Sequence, residues 1–159
     1  MKIAITGEPP ADVSLARRAM QAAARPYRLP RGTAVSLAFV DDSEMRALNR
    51  RYRRKDTTTD VLSFGEPWPT ETKGRDAASR LEPGPDGVVR LGDVVISGAQ
   101  AARQARRRRW PLAAELAFLA AHGTLHLLGF DDQTRAGYRE MLALGRAAVA
   151  IARQQSVKR

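Results

Sequence analysis

The sequence predicts an α/β fold of the α+β sandwich kind, with a small mixed sheet of about four strands and about five helices packed on it. Three observations carry that expectation. Short apolar runs of strand character recur along the chain, segments with apolar residues at helical spacing stand between them, and capping residues mark the changeovers.

Taken in order, Lys2–Thr6 and residues 35–40 are short β-rich runs. Between them, residues 11–24 place Val13, Leu15, Ala16, Ala19, Met20 and Ala23 at helical spacing and end before Pro26. Asp41, Asp42 and Ser43 offer caps for a helix over 44–52, with Met45, Leu48 and Asn49 on one side. Residues 61–64 read as a buried strand, and 88–96 as another, broken by Gly92. Residues 65–87 hold four prolines and four glycines with almost no apolar periodicity, which reads as a surface loop or hairpin excursion. Ser97 can cap a helix that runs through the arginines to about Arg109. Pro111 suits a first helical position, and a long helix follows to about Leu128, where Gly129 stops it. A last helix covers about 133–154, with Tyr138, Met141, Leu142, Ala148 and Ile151 on its apolar side. Residues 1–159 are expected to form a single domain, since no repeat interrupts them and one domain usually takes ~100–200 residues.

Composition narrows the chemistry. There is no cysteine, which excludes disulfides, thiolate ligands and cysteine nucleophiles and leaves His, Asp and Glu as strong metal ligands. The net charge is +10, and only four of the 27 basic residues are lysine. Arginine's planar fork suits bidentate phosphate contact, so a nucleic acid is the expected partner, although a GC-rich genome would also spell basic residues as arginine. The apolar run before Glu8 is shorter than the ~7–15 residues of a secretory signal. The longest uncharged run, 116–130, falls short of the ~20 residues of a membrane span. A cytoplasmic protein with no membrane partner is expected.

The chemistry concentrates in residues 121–132. His122 and His126 are the two histidines of the chain, and four residues apart on a helix they leave the same face one turn apart. That is how a helix presents two imidazoles to one metal. Gly129 lets the chain fold back, so the carboxylate of Asp132 can reach the same ion as third ligand. Three protein ligands with an open fourth position is the arrangement of a catalytic zinc. Two histidines at this spacing also arise by chance, buried by hydrogen bonds alone. Gly123 stands where a zincin peptidase has its glutamate base, and glycine cannot accept a proton.

The stretch from His122 to Asp132 resembles the signature of the YbeY family of metal-dependent endoribonucleases and rRNA maturation factors, H-G-x-L-H-L-x-G-[YF]-D-H. Residues 48–56 followed by 59–64 are similar to the family's second block, and residues 91–97 to its third. The resemblance spans roughly Leu48 to Asp132, in family order. Two departures stand out. Asp132 occupies the position of the third ligand, usually histidine, and Gly65 that of a common proline. Asp131 competes as ligand, but the family motif has an aspartate there too, which favours Asp132. A carboxylate binds zinc well, weakens it as a Lewis acid, and relaxes selectivity toward harder ions such as Mn²⁺.

The resemblance implies one Zn²⁺ per chain on His122, His126 and Asp132, and a water made more acidic by the ion attacking a phosphodiester. It matches Arg53 to an arginine of the family's active cleft, suited to clamp the scissile phosphate. By position alone Arg53 reads as a solvated arginine in a basic run. Arg50, Arg51, Arg54 and Lys55 are expected to hold the RNA backbone, with Arg103 and Arg107 from a second basic stretch. Glu115 either orients an imidazole or complements the helix dipole, with the dipole favoured. Asp60 and Asp93 orient Arg53 or tie loops. The implied function is single-strand-specific cleavage of RNA in 16S rRNA 3′-end maturation and ribosome quality control, with rRNA and the small ribosomal subunit as partners and no DNA. Two alternatives stand beside it: an RNA-binding assembly factor with a structural metal, and a metal hydrolase of a non-RNA substrate. The charge and the missing glutamate after His122 speak against the second.

Overall fold

Alternation sets the sheet. In strand Ala34–Val40 every second residue is buried, with Val35, Leu37 and Phe39 facing the main core. The computed structural model describes residues 1–157. Its strands are β1 (Lys2–Thr6), β2 (Ala34–Val40), β3 (Val61–Gly65) and β4 (Arg90–Ser97), laid side by side in the order β1-β2-β4-β3. β1 pairs parallel with β2 and β2 parallel with β4, while β3 closes one edge antiparallel to β4. The architecture is the mixed four-stranded α+β fold expected, with six helices rather than about five.

The helices are α1 (Ser14–Ala24), α2 (Asp42–Arg53), α3 (Arg75–Ser79), α4 (Gly98–Arg108), α5 (Leu112–Leu127) and α6 (Arg135–Val157). α5 lies across β3 and β4, and α1 and α6 pack against it. A helix apolar on all sides belongs in an interior. α5 is one, and Leu116, Ala117, Ala120, Ala121 and Leu125 are all at most 1% exposed. The opposite face of the sheet carries α2, whose Met45 and Leu48 pack on Leu62 and Val95.

The caps act where the sequence places them. The Asp41 carboxylate accepts from Glu44 N–H (2.8 Å), and the Glu44 carboxylate accepts from Asp41 N–H (3.2 Å). Ser97 Oγ accepts from Gln100 N–H (3.2 Å) and itself donates to Asp42 Oδ1 (2.9 Å), joining the starts of α4 and α2. Pro111 stands one residue before the helix, in extended conformation.

Two expectations shift. In α6 the buried stripe is Met141, Ala148, Val149 and Ala152, whereas Tyr138 and Ile151 face solvent. α6 packs against both α1 and α5, and its buried positions include the small Ala148 and Ala152 beside Met141 and Val149, so the stripe runs along a different line from the one expected. Residues 65–87 are tied down despite their composition. They contain α3, bury Ala77, Ala78 and Leu81, and bridge Pro83 to Val89. The Trp68 indole N–H donates to the Leu127 carbonyl (2.8 Å), and Gly74 N–H to that of Leu128 (2.8 Å). No helix among the described residues is long and apolar enough to cross a membrane.

Candidate metal centre

The centre begins with how α5 meets the sheet. A Cβ on Gly123 would come within 2.6 Å of Val94 Cγ1 and 3.1 Å of Ser63 Oγ. Glycine is what lets the helix lie this close, and Ser63 Oγ–H donates to the Gly123 carbonyl (3.0 Å). There is no room beside His122 for a glutamate base. At the other end, Gly129 takes a left-handed conformation (φ +83°), and a Cβ there would strike the Thr72 carbonyl. The chain reverses, Phe130 N–H returns to the Leu125 carbonyl (3.1 Å), and Asp132 comes to lie beside the two histidines.

Nε2 of His122 lies 3.0 Å from Nε2 of His126, and Asp132 Oδ2 lies 3.2 Å and 3.5 Å from these two atoms. Tetrahedral bonds of ~2.0–2.1 Å to an ion place neighbouring ligand atoms roughly 3.3 Å apart. The three observed separations bracket that edge, so His122, His126 and Asp132 fit a divalent ion. Asp131 instead accepts the Gln133 N–H at Oδ1 (2.8 Å) and holds the turn.

One of the two imidazoles is oriented by the main chain. His126 Nδ1–H donates to the Phe130 carbonyl (3.0 Å), which leaves the lone pair on Nε2. Burial pushes the His122 pKa below its ordinary value and the neighbouring His126 adds to this, while Asp132 and Asp60 pull the other way.

His122, His126 and Asp132 line one cleft of about 1360 Å³ together with Arg53, Lys55 and Trp68. Arg53, exposed at the end of α2, reaches over β3 and donates Nη2 to the Ser63 carbonyl (3.4 Å). Arg50, Arg51 and Arg54 are exposed around the same helix end but do not line the cleft, and Arg51 lies over the Tyr52 ring (5.3 Å). Arg103 grips Asp42 through both terminal nitrogens (2.8 and 2.9 Å), and Arg107 is exposed on the last turn of α4, away from the cleft. Asp60 ties loops, accepting from Val61 N–H (2.8 Å) and Gln104 Nε2 (3.0 Å), and Asp93 is exposed in the middle of β4. Glu115 stands in the first turn of α5, as the helix-dipole reading has it, and its hydrogen bonds go to other groups than the imidazoles. Its fully buried carboxylate takes the Trp110 indole N–H (2.6 Å) and Arg108 (3.2 Å). Trp68 escaped the sequence reading because its partner lies 59 residues away.

The chain as a whole is similar to known proteins. A family model described as Endoribonuclease YbeY matches residues 8–152. The chain is 46% identical over 138 residues to the Endoribonuclease YbeY of Moorella thermoacetica, covering 87% of this chain and 85% of that one. It is 41% identical over 132 residues to that of Geobacillus kaustophilus, covering 83% and 81%. The chain belongs to the YbeY endoribonuclease family. The solution structure of TM1509 from Thermotoga maritima, 20% identical, is similar in fold, with a TM-score of 0.57 over 99% of this chain and 95% of that one. Arg53, His122, His126 and Asp132 all lie within the matched residues.

Proposed function

We propose that this protein is a metal-dependent endoribonuclease that cuts single-stranded RNA. In this reading it holds one zinc ion on His122, His126 and Asp132 and acts in the cytoplasm, in 16S rRNA 3′-end maturation and ribosome quality control. The observation that carries the reading is the convergence of three ligand atoms in the cleft that Arg53 and Lys55 also line, on a chain of net charge +10.

Asp132 is about one-third exposed, so the ligand set opens toward the cleft, as a catalytic rather than a purely structural site requires. An ion bound there would polarise a phosphoryl oxygen and make a nearby water more acidic. The protein's own residues do the rest. Phe130 fixes the His126 ring through Nδ1–H. The Arg53 guanidinium, whose one hydrogen bond among the described residues is long, can clamp the scissile phosphate and offset charge that grows in the transition state. Lys55 and the exposed Arg50, Arg51, Arg54 and Arg107 supply sequence-independent phosphate contacts. Arg103, already spent on Asp42, contributes less. Asp132 in place of histidine brings an extra negative charge, which broadens the acceptable ions toward Mn²⁺.

The test is cleavage of labelled single-stranded and duplex RNA by purified protein with zinc or manganese added. The single strand should be cut and the duplex spared. Arg53→Ala should lower kcat ~10²–10³-fold, the usual loss when one charge-stabilising donor is removed, with bound metal unchanged. RNA binding should weaken by ~0.7 log units per tenfold rise in salt for each phosphate neutralised. A zinc-loaded wild type that leaves single-stranded RNA intact would overturn the nuclease reading and favour an RNA-binding assembly factor.

A further inference from the structure

Among the described residues, two buried polar side-chain atoms stand without a hydrogen-bond partner: Nδ1 of His122 and Oε1 of Gln104. They are complementary. A neutral imidazole that gives its Nε2 lone pair to an ion carries its proton on Nδ1, which then needs an acceptor. A glutamine Oε1 is an acceptor only. A donor and an acceptor each left alone in an interior are both costly.

The glutamine cannot swap its ends without loss. Its Nε2 donates to Asp60 Oδ2 (3.0 Å), and turning the amide over would set Oε1 against that carboxylate. Asp60 is itself held, its Oδ1 accepting from Val61 N–H (2.8 Å). Gln104 belongs to α4, which packs on the helix that carries His122, and the Asp60 charge acts on the His122 ring. His126 shows the finished arrangement, with Nδ1–H on the Phe130 carbonyl.

We propose that Gln104 is the positioning residue for His122. In the metal-loaded protein its Oε1 accepts the His122 Nδ1–H, in a chain Asp60–Gln104–His122 that sets the tautomer and ring angle of that ligand. The proposal rests on the metal reading above. His126 would then be oriented by main chain and His122 by a side chain, which makes His122 the ligand that mutation can disorient without touching it.

The experiment compares zinc dissociation constants, by chelator competition, for wild type and Gln104→Leu, with circular dichroism of the zinc-free proteins as the control for folding. NMR of the histidine ring nitrogens in zinc-loaded wild type is the second measurement. A 10–100-fold weaker affinity is expected for the variant, the usual cost of losing such a partner. A His122 Nδ1–H protected from exchange is expected in the wild type. Equal affinities, or an Nδ1 proton that exchanges freely with solvent, overturn the proposal. If Gln104→Leu does not fold, the wild-type spectrum decides alone. A wild type that binds no zinc fails the metal reading itself, and the proposal falls with it.

Discussion

At the N-terminal end of α5 the buried Glu115 carboxylate meets the Trp110 indole N–H at 2.6 Å and the Arg108 guanidinium at 3.2 Å. At the C-terminal end His122, His126 and Asp132 turn their ligand atoms on one another at 3.0–3.5 Å. Both ends gather polar groups at the margin of the core. The first is complete, because acceptors face donors supplied by the chain. The second is incomplete, because lone pairs face lone pairs. A buried carboxylate with its own partners holds a structure together, whereas converging acceptors call for a cation.

The largest effect should come from breaking the incomplete end. Elemental analysis of purified wild type is expected to find close to one zinc per chain. His126→Ala and Asp132→Ala should each lose it while circular dichroism stays that of a folded protein, since both side chains are partly exposed. RNA cleavage should fall with the metal. A wild type free of metal after growth in zinc-supplemented medium would remove the contrast between the two ends.

A smaller effect is expected where the two ends share one helix. Gly123→Ala puts a methyl group against Val94 Cγ1, in a contact that the apolar core cannot easily relieve. Overpacking of this kind costs ~1–3 kcal/mol. Urea unfolding should show that loss, and zinc affinity should drop because His122 is the adjacent residue. An alanine variant as stable as wild type would mean that α5 can lift off β4 freely, and that its placement does not depend on glycine.

The incomplete end was legible in the sequence because its geometry is local. A four-residue helical spacing, a glycine stop and a carboxylate six residues on are all short-range facts, and they placed His122, His126 and Asp132 within reach of one another. The strands and five of the six helices were legible for the same reason: each carries its own period, and α2 and α4 carry their own caps as well. What escaped is set by distance along the chain or by a turn. The grip of Arg103 on Asp42 could not be read, because the two stand 61 residues apart. Residues 65–87 gave no period because their order comes from partners elsewhere, as Trp68 on Leu127 shows. For Glu115 the sequence offers a choice between an imidazole and the helix dipole along its own helix alone, with the dipole favoured. The left-handed Arg109 (φ 54°) instead turns the end of α4 back, so that Arg108 and Trp110 reach the carboxylate first.

The complete end gives the smallest and most specific test, through pH. Burial raises the Glu115 pKa above its ordinary 4.5, with Trp110 and Arg108 opposing. A folded-state pKa above the unfolded one means that the folded protein holds this proton more tightly. The group therefore favours folding most below pH 4.5, and that contribution is lost as pH rises through the raised value. Glu115→Gln keeps the size and an acceptor for Trp110 but cannot titrate. Its stability at neutral pH should differ from wild type by no more than about 1.5 kcal/mol, the scale of one hydrogen bond. Urea midpoints measured with chelator present, so that the metal end contributes nothing, should fall less steeply above pH 4.5 in the variant than in wild type. Identical slopes would show that Trp110 and Arg108 fully offset the burial. Glu115 would then be an ordinary ion pair, and the two ends of α5 would differ only in whether a metal is needed to complete them.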